Sequence, residues 1–446
     1  MNKRTFLKTS SALATGAVLS QLAACQATEQ RTNWAGNFAY SAQKLLLPSS
    51  LAEAQEMVKK SKKVRALGSR HSFNSIADCT QDQISLQNLN KVISLDKEAR
   101  TVTVQAAMRY GELCQYLHQN GFALHNLASL PHISIAGACA TATHGSGINN
   151  GNLATAVTAL EWINPEGDLN SLSRAKDKDQ FLGAVVGLGG LGIVTQLTLS
   201  IQPTYDMQQV VYQNMPMKVL EKDFEAIMSS GYSVSLFTDW QNQNINQVWI
   251  KSRIENGKSS TPMPEFYGAR LATKNLHPLE NLSAENCTEQ MGVVGPWYER
   301  LPHFKMGFMP SSGKELQSEY FVPIEYAYRA LMSLEKLHAQ VSPHLLISEI
   351  RVVDADDLWM SPCYKQACVA FHFTWQQDWE AVKKILPLIE TQLAPFNARP
   401  HWGKLFTMAP ATLQKRIDSL DDFKQLLGVH DPRWKFRNDF LIAHIF

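Results

Sequence analysis

The stretch Ala66 to Phe73 reads ALGSRHSF and places His71 in a tight, polar, glycine-containing turn. Successive backbone N–H groups in such a turn form a concavity suited to a phosphate. A neutral imidazole is a good nucleophile near neutral pH, and no other residue of the turn is. A second stretch, ASLPHISIAGACATATHGSG from Ala128 to Gly147, is dense in small and hydroxyl side chains that let backbone amides approach a pyrophosphate. A third, GLGGLG from Gly187 to Gly192, satisfies the spacing of a dinucleotide fingerprint. That fingerprint works only where a helix follows and its N-terminus holds the pyrophosphate. Here IVTQLTLSI follows, an alternating β-branched run, so the reading is backbone packed closely against a strand or a flat ligand. Each stretch alone is an ordinary turn. Their co-occurrence in one region points to a bound, phosphate-containing cofactor.

Other reactive side chains lie further along. In ISEIRVV, Ile347 to Val353, a period of two puts Glu349 and Arg351 on one face and Ile350 and Val352 on the other. In VAFHFTW, Val369 to Trp375, it puts His372 and Thr374 against Phe371 and Phe373. As sheet neighbours the two runs form a polar wall backed by apolar core; as isolated strands they carry a solvated surface ion pair of little energetic worth. ARPHWGK, Ala398 to Lys404, adds His401 and Lys404.

The elements that must position these groups follow from periodicity. Ser50 to Ser61 carries apolar residues at helical intervals and VRALG follows as a strand, an α/β opening. Thr101 to Ala106 alternates, with Val102 and Val104 on one face. Arg109 to Gly121 reads as a helix stopped by its glycine. Ala128 to Asn152 reads as loop. Ile193 to Pro203 alternates until the proline. Beyond it an α+β region carries the strands QVVYQ and SEIRVV and a helix over Asp378 to Leu393, so a domain boundary is expected near residue 205. At 446 residues, two domains are the prior expectation.

A net charge of +2, with 45% apolar and 18% charged residues, gives no reason to expect a nucleic-acid or strongly acidic partner. The first 25 residues read differently. Asn2 to Lys8 (NKRTFLK), a short apolar stretch and Leu22-Ala23-Ala24-Cys25 make an export signal, with Cys25 where a lipobox places its acylated cysteine. The n-region also resembles a twin-arginine signal with Lys3 in place of the first arginine. Such a route exports folded proteins, often with cofactor loaded, to a periplasmic, membrane-anchored destination. The remaining cysteines, Cys79, Cys114, Cys139, Cys287, Cys363 and Cys368, show no CxxC and no spacing that selects a pairing, so buried free thiols are expected.

VRALGSRHSFNSIADC, ASLPHISIAGACATATHGSG and GAVVGLGGLGIVTQLTLSIQP, in this order, resemble the flavin-binding domain of the vanillyl-alcohol oxidase superfamily. With SEIRVV, AFHFTW, FNARPHWGK and DPRWKFRNDFL, the chain is most similar to its alditol (xylitol) oxidases, relatives of the aldonolactone oxidases. The resemblance implies an α+β, two-domain fold: an FAD-binding domain over residues 26–205, a substrate cap over 206–403 and a return to the FAD domain over 404–446. It implies FAD joined covalently to His71. Ala66, Leu67, Gly68, Ser69, Arg70, Ser72, Ser134, Gly137, Thr141, Ala142, Thr143, His144, Ile193 and His401 would surround the cofactor. Ser129, Glu349, Arg351, Thr374 and Lys404 would hold a polyol. The implied reaction is hydride transfer from a terminal carbinol to flavin N5, with Arg351 and Lys404 stabilising the alkoxide and Lys404 or His401 accepting the proton. Oxygen would then be reduced to hydrogen peroxide. An aldonolactone substrate, a quinone or cytochrome acceptor, and a catalytically inactive sugar- or flavin-binding lipoprotein are the alternatives. One departure concerns Ala142, where relatives carry glycine: a methyl group there crowds the loop if the position needs positive φ.

Overall fold

The computed structural model describes residues 31–255, 257, 261–307 and 314–446. The segment carrying the expected export signal and Cys25 lies outside the described residues.

The opening α/β unit forms because Ser50 caps the helix Leu51–Lys60, its side chain accepting from the Glu53 N–H, and the helix buries Ala54 and Val58. The strands Lys44–Leu46, Asp82–Ile84 and Val64–Ala66 pair in parallel, with Asp82–Ile84 in the middle. The turn bearing His71 leaves the carboxyl end of Val64–Ala66, the end at which ligands bind in parallel sheets. An antiparallel five-stranded sheet follows, in the order Val92–Asp96, Thr101–Gln105, Ile193–Ser200, Val157–Ile163, Leu169–Ser173. Val102 and Val104 are buried on one face, as the alternation predicts. The helix Tyr110–Gln119 ends just before Gly121, whose φ of +85° continues the chain where an L-residue would be strained.

The stretch Ala128 to Asn152, read from sequence as loop, contains a helix, Ile135–Ala140. Its sequence, IAGACA, offers so little contrast between large and small or apolar and polar side chains that it has no readable period.

GLGGLG is followed by the strand Ile193–Ser200, so no Rossmann geometry exists there. The glycines pack against protein. A Cβ on Gly189 would lie 3.2 Å from the Arg65 guanidinium, and one on Gly190 would lie 2.9 Å from the Leu427 side chain in the helix Leu420–His430. Arg65 is itself buried and donates all five N–H bonds to backbone carbonyls: twice to Ile76 and once each to Leu188, Gly189 and Phe436. It ties three separate loops together beneath the cofactor-sized cavity described below. Replacing Arg65 with Met strands these acceptors, and the loss should exceed about 3 kcal/mol. The urea-unfolding midpoint checks this; a shift worth less than about 1 kcal/mol would mean that water replaces the guanidinium.

The chain passes from this sheet to a second one between Ser200 and Asp206. The second sheet has ten strands within residues 206–400. At its centre Ser233–Thr238, Leu345–Val353, Cys368–Gln376 and Glu315–Pro323 lie side by side, all antiparallel. On one face Ile350, Val352, Phe371 and Phe373 pack into a core with the helices Leu220–Met228, Ala327–Glu335 and Trp379–Leu393. With that face covered by helices, the alternate residues turn to the opposite side. All six cysteines among the described residues are buried free thiols.

Candidate active site

The polar face of the ten-stranded sheet and the loops of the N-terminal half enclose one cavity of about 800 Å³, at the upper end of the range for cofactor and ligand sites. His71 lines it. The turn holds its shape through Arg70, whose φ is +64°, and the segment before it clamps down. The Trp34 N–H donates to the Arg70 carbonyl at 2.8 Å, the Asn33 side chain donates to the Ser72 carbonyl at 2.9 Å, and the Trp34 ring stacks on the His71 ring at 5.2 Å. His71 Nδ1 is buried and makes no hydrogen bond of normal geometry. Burial, reinforced by repulsion from His132, Arg109 and Arg70, pushes the imidazole down to about 4, so the ring is neutral at ordinary pH.

Opposite it, Ser134 Oγ is buried without a partner. A Cβ on Gly68 or on Gly137 would lie 2.8 or 2.9 Å from that oxygen, so both positions need glycine for the turn and the helix Ile135–Ala140 to approach. Ser69 Oγ accepts from the Ser134 N–H at 3.1 Å and ties the two elements together. Ala66, Leu67, Ser72, Thr141, Thr143, His144, Ile193 and His401 also line the cavity. Ala142 is buried but does not line the cavity, and its φ is +53°. An L-residue in that conformation costs about 1–2 kcal/mol, so the loop accepts strain there.

At the other end Ser129, Glu349, Arg351, Thr374 and Lys404 converge on the same cavity, so the sheet wall is internal and not a solvated surface. Register brings this about, because Glu349 and Glu319 pair with His372 from its two sides. Sequence reasoning missed Glu319. Its side chain is fully buried and lies 2.9 Å from Arg351 Nη2, 2.7 Å from Lys404 Nζ, 3.2 Å from His144 Nε2 and 3.9 Å from His372 Nδ1. Burial alone would raise its carboxyl, but Lys404, His144 and Arg351 outweigh that and hold it well below the usual carboxylate range. The only local signal was a lone glutamate among apolar residues in SEYFV.

The hydrogen-bond roles follow from donor counting. Lys404 Nζ donates to Glu319 and to His372 Nδ1, both at 2.7 Å, which leaves one ammonium hydrogen for the cavity. His372 then carries its proton on Nε2 and donates to Thr374 Oγ1 at 3.0 Å, leaving the Thr374 hydroxyl hydrogen free. Arg351 donates to Ser129 Oγ at 3.2 Å, which frees the serine hydrogen in the same way. His401 Nδ1 accepts from the Gly403 N–H at 3.0 Å, and burial keeps the ring neutral, so Nε2 carries the proton and presents a donor. The wall is thus rich in donors, with Glu349 as an ionised acceptor: burial would raise its carboxyl, but Arg351 and His303 hold it well below the usual range.

Two family models cover most of the chain: an FAD-binding domain over residues 42–173 and D-arabinono-1,4-lactone oxidase over residues 197–444. The chain belongs to the D-arabinono-1,4-lactone oxidase family. It is an FAD-dependent oxidase that acts on CH–OH groups. It is 44% identical to an alditol oxidase of Streptomyces sp. (strain IKD472 / FERM P-14339), covering 92% of this chain and 97% of that one. It is 26% identical to the L-gulonolactone oxidase of Mus musculus, over 92% and 97%. A crystal structure of cholesterol oxidase from B. sterolicum shares the fold, with a TM-score of 0.74 at 13% identity, covering 94% of this chain and 96% of that one. In this FAD-linked oxidase the cavity fits its cofactor. The buried Ser134 Oγ has no protein partner, and Gly68 and Gly137, where a Cβ would press on that oxygen, let the turn and the helix close around it, a polar, narrow lining that suits a flavin nucleotide.

Proposed function

We propose that this oxidase acts on alditols, converting a terminal carbinol to the aldehyde with reduction of oxygen to hydrogen peroxide. The Glu319-centred wall carries the proposal. Its two carboxylates, Glu319 and Glu349, balance its two cations, Arg351 and Lys404. A neutral, multiply hydroxylated substrate suits a wall of several fixed donors and an acceptor better than one dominated by a single charge. The 44% identity to an alditol oxidase supports the same substrate class.

The His71 and Ser134 loops would hold FAD, which would supply the hydride acceptor and the route to oxygen. Ser129, Thr374 and Lys404 donate to substrate hydroxyls and Glu349 accepts from one. Lys404 and Arg351 place positive charge where the alkoxide develops. Lys404 is already engaged as a cation with Glu319, and the His401 tautomer presents a donor to the cavity. Their part is therefore charge stabilisation and orientation; the hydroxyl proton, which neither takes in this arrangement, passes to water and is matched by the proton taken up when oxygen is reduced to hydrogen peroxide. His71 is the site of covalent attachment to the flavin. Export follows the twin-arginine-like signal, with Cys25 as a lipid anchor on the periplasmic side.

Native protein assayed for peroxide with xylitol, sorbitol and an aldonolactone tests the substrate class. Peroxide from the alditols is the expected result; peroxide from the lactone alone would move the chain to the aldonolactone activity. A fluorescent flavin band on a denaturing gel reports covalent attachment.

A further inference from the structure

Behind Glu349 lies a second layer of ionisable groups. Lys251, in the strand Asn244–Arg253, is wholly inaccessible to solvent. Its ammonium has three acceptors: the Leu301 carbonyl at 2.6 Å, the Pro302 carbonyl at 3.0 Å and His303 Nδ1 at 3.1 Å. Three acceptors match three ammonium hydrogens, so the geometry is that of a cation donating into Nδ1. His303 must then carry its proton on Nε2, which lies 2.7 Å from Glu349 Oε1. The ring cannot readily turn, because it packs edge-on against Phe237 and Trp249 at centroid distances of 5.5 and 5.1 Å. The same residue reaches the substrate wall through its backbone, where the His303 N–H donates to the Ser129 carbonyl at 3.1 Å.

Resting on the proposed alditol chemistry, we infer that Lys251 and His303 are positioning residues that fix Glu349 as an acceptor for one substrate hydroxyl. Oε1 is taken by His303 and faces Arg351 Nε at 3.5 Å, while Oε2 makes no hydrogen bond among the described residues and belongs to a side chain that lines the cavity. Without a donor into Nδ1, the imidazole has no reason to keep its proton on Nε2. It then turns a lone pair toward the carboxylate, and Glu349 loses its fixed orientation. Burial, with repulsion from Lys251, pushes His303 down to about 4, so the ring stays neutral and keeps one proton to place. Burial also lowers Lys251, against the attraction of Glu349 and Cys287 and together with repulsion from Arg351 and Arg300, to about 7.

The test compares His303→Leu, His303→Gln and Lys251→Met with the wild-type holoenzyme in steady-state kinetics on xylitol, with flavin content measured for each. A glutamine can accept from Lys251 with Oε1 and donate to Glu349 with Nε2, so it keeps the relay while changing the ring. Loss of a hydrogen bond to a charged group predicts a KM rise of about 10–100-fold in His303→Leu. The interaction serves ground state and transition state alike, so kcat should stay within about threefold. His303→Gln should return KM to within about threefold of wild type, and Lys251→Met should resemble His303→Leu. An unchanged KM in His303→Leu, or a glutamine variant as impaired as the leucine one, would overturn the inference. If His303→Leu does not fold with flavin bound, Lys251→Met and the glutamine variant decide the question by the same criteria. Wild-type protein that oxidises a lactone and no alditol would sink the proposed substrate class; the KM comparison on that lactone would still decide the roles of Lys251 and His303.

Discussion

Lys404→Met should lower alditol turnover by about 10²–10³-fold, as loss of a preorganised charged donor typically does. The ammonium is held by Glu319 and His372 so that its third hydrogen faces the cavity. Methionine keeps the length of the side chain and removes the charge. Part of the effect could be mere imbalance, since Glu319 is left with Arg351 as its fixed cationic partner. The double variant Lys404→Met/Glu319→Gln separates the two contributions, because it restores the balance of charge without restoring the donor. Thermal stability lost in the single variant should recover in the double one, while kcat should stay depressed. Turnover within about threefold of wild type in Lys404→Met would remove Lys404 from the chemistry.

In His71→Ala, fluorescent flavin should disappear from a denaturing gel, while some dissociable FAD remains with the native protein. Covalent colour persisting in this variant would falsify the assignment of His71 as the attachment site. The local environment also sets a pH dependence. With the imidazole pushed down to about 4 by burial and by neighbouring positive charge, the neutral, nucleophilic form persists well into acid. Attachment during reconstitution of apo-protein with FAD should therefore vary little between pH 7.5 and pH 5, taken as approximate limits, and fail only below that. A histidine with its ordinary pKa of about 6.5 would be mostly protonated by about pH 5, and attachment would already be falling. The Trp34 stack supplies orientation and part of the burial: Trp34→Ala should slow attachment and, by exposing the ring, raise the pH below which attachment fails.

The resemblance and the periodicity named residues that the fold brings to one place. His71, Ser129, Ser134, Thr143, His144, Glu349, Arg351, Thr374, His401 and Lys404 all line one cavity. Ala142 shares their stretch of sequence but is buried away from the cavity lining, in a backbone conformation with φ of +53°. The helix Ile135–Ala140 was not legible, since six small or apolar residues carry no amphipathic contrast.

What the sequence determined by itself is what depends on near neighbours. Alternation in ISEIRVV and VAFHFTW separates polar from apolar faces whatever lies beyond them, and a glycine-rich turn ending in Arg-His presents a nucleophile wherever it is placed. What only the tertiary structure decided is which polar face is dry and who stands behind it. Glu319 matters because strand register sets it beside His372 and under two cations; Lys251 matters because Phe237 pairs with Glu349 on one side and Gln247 on the other, bringing its strand near the site. Gly189 is a glycine both because its φ is +69° and because Arg65, far away in the chain, comes to lie against it. A charge buried in a protein interior takes its meaning from whatever long-range packing brings within a few ångströms, and no local period encodes that.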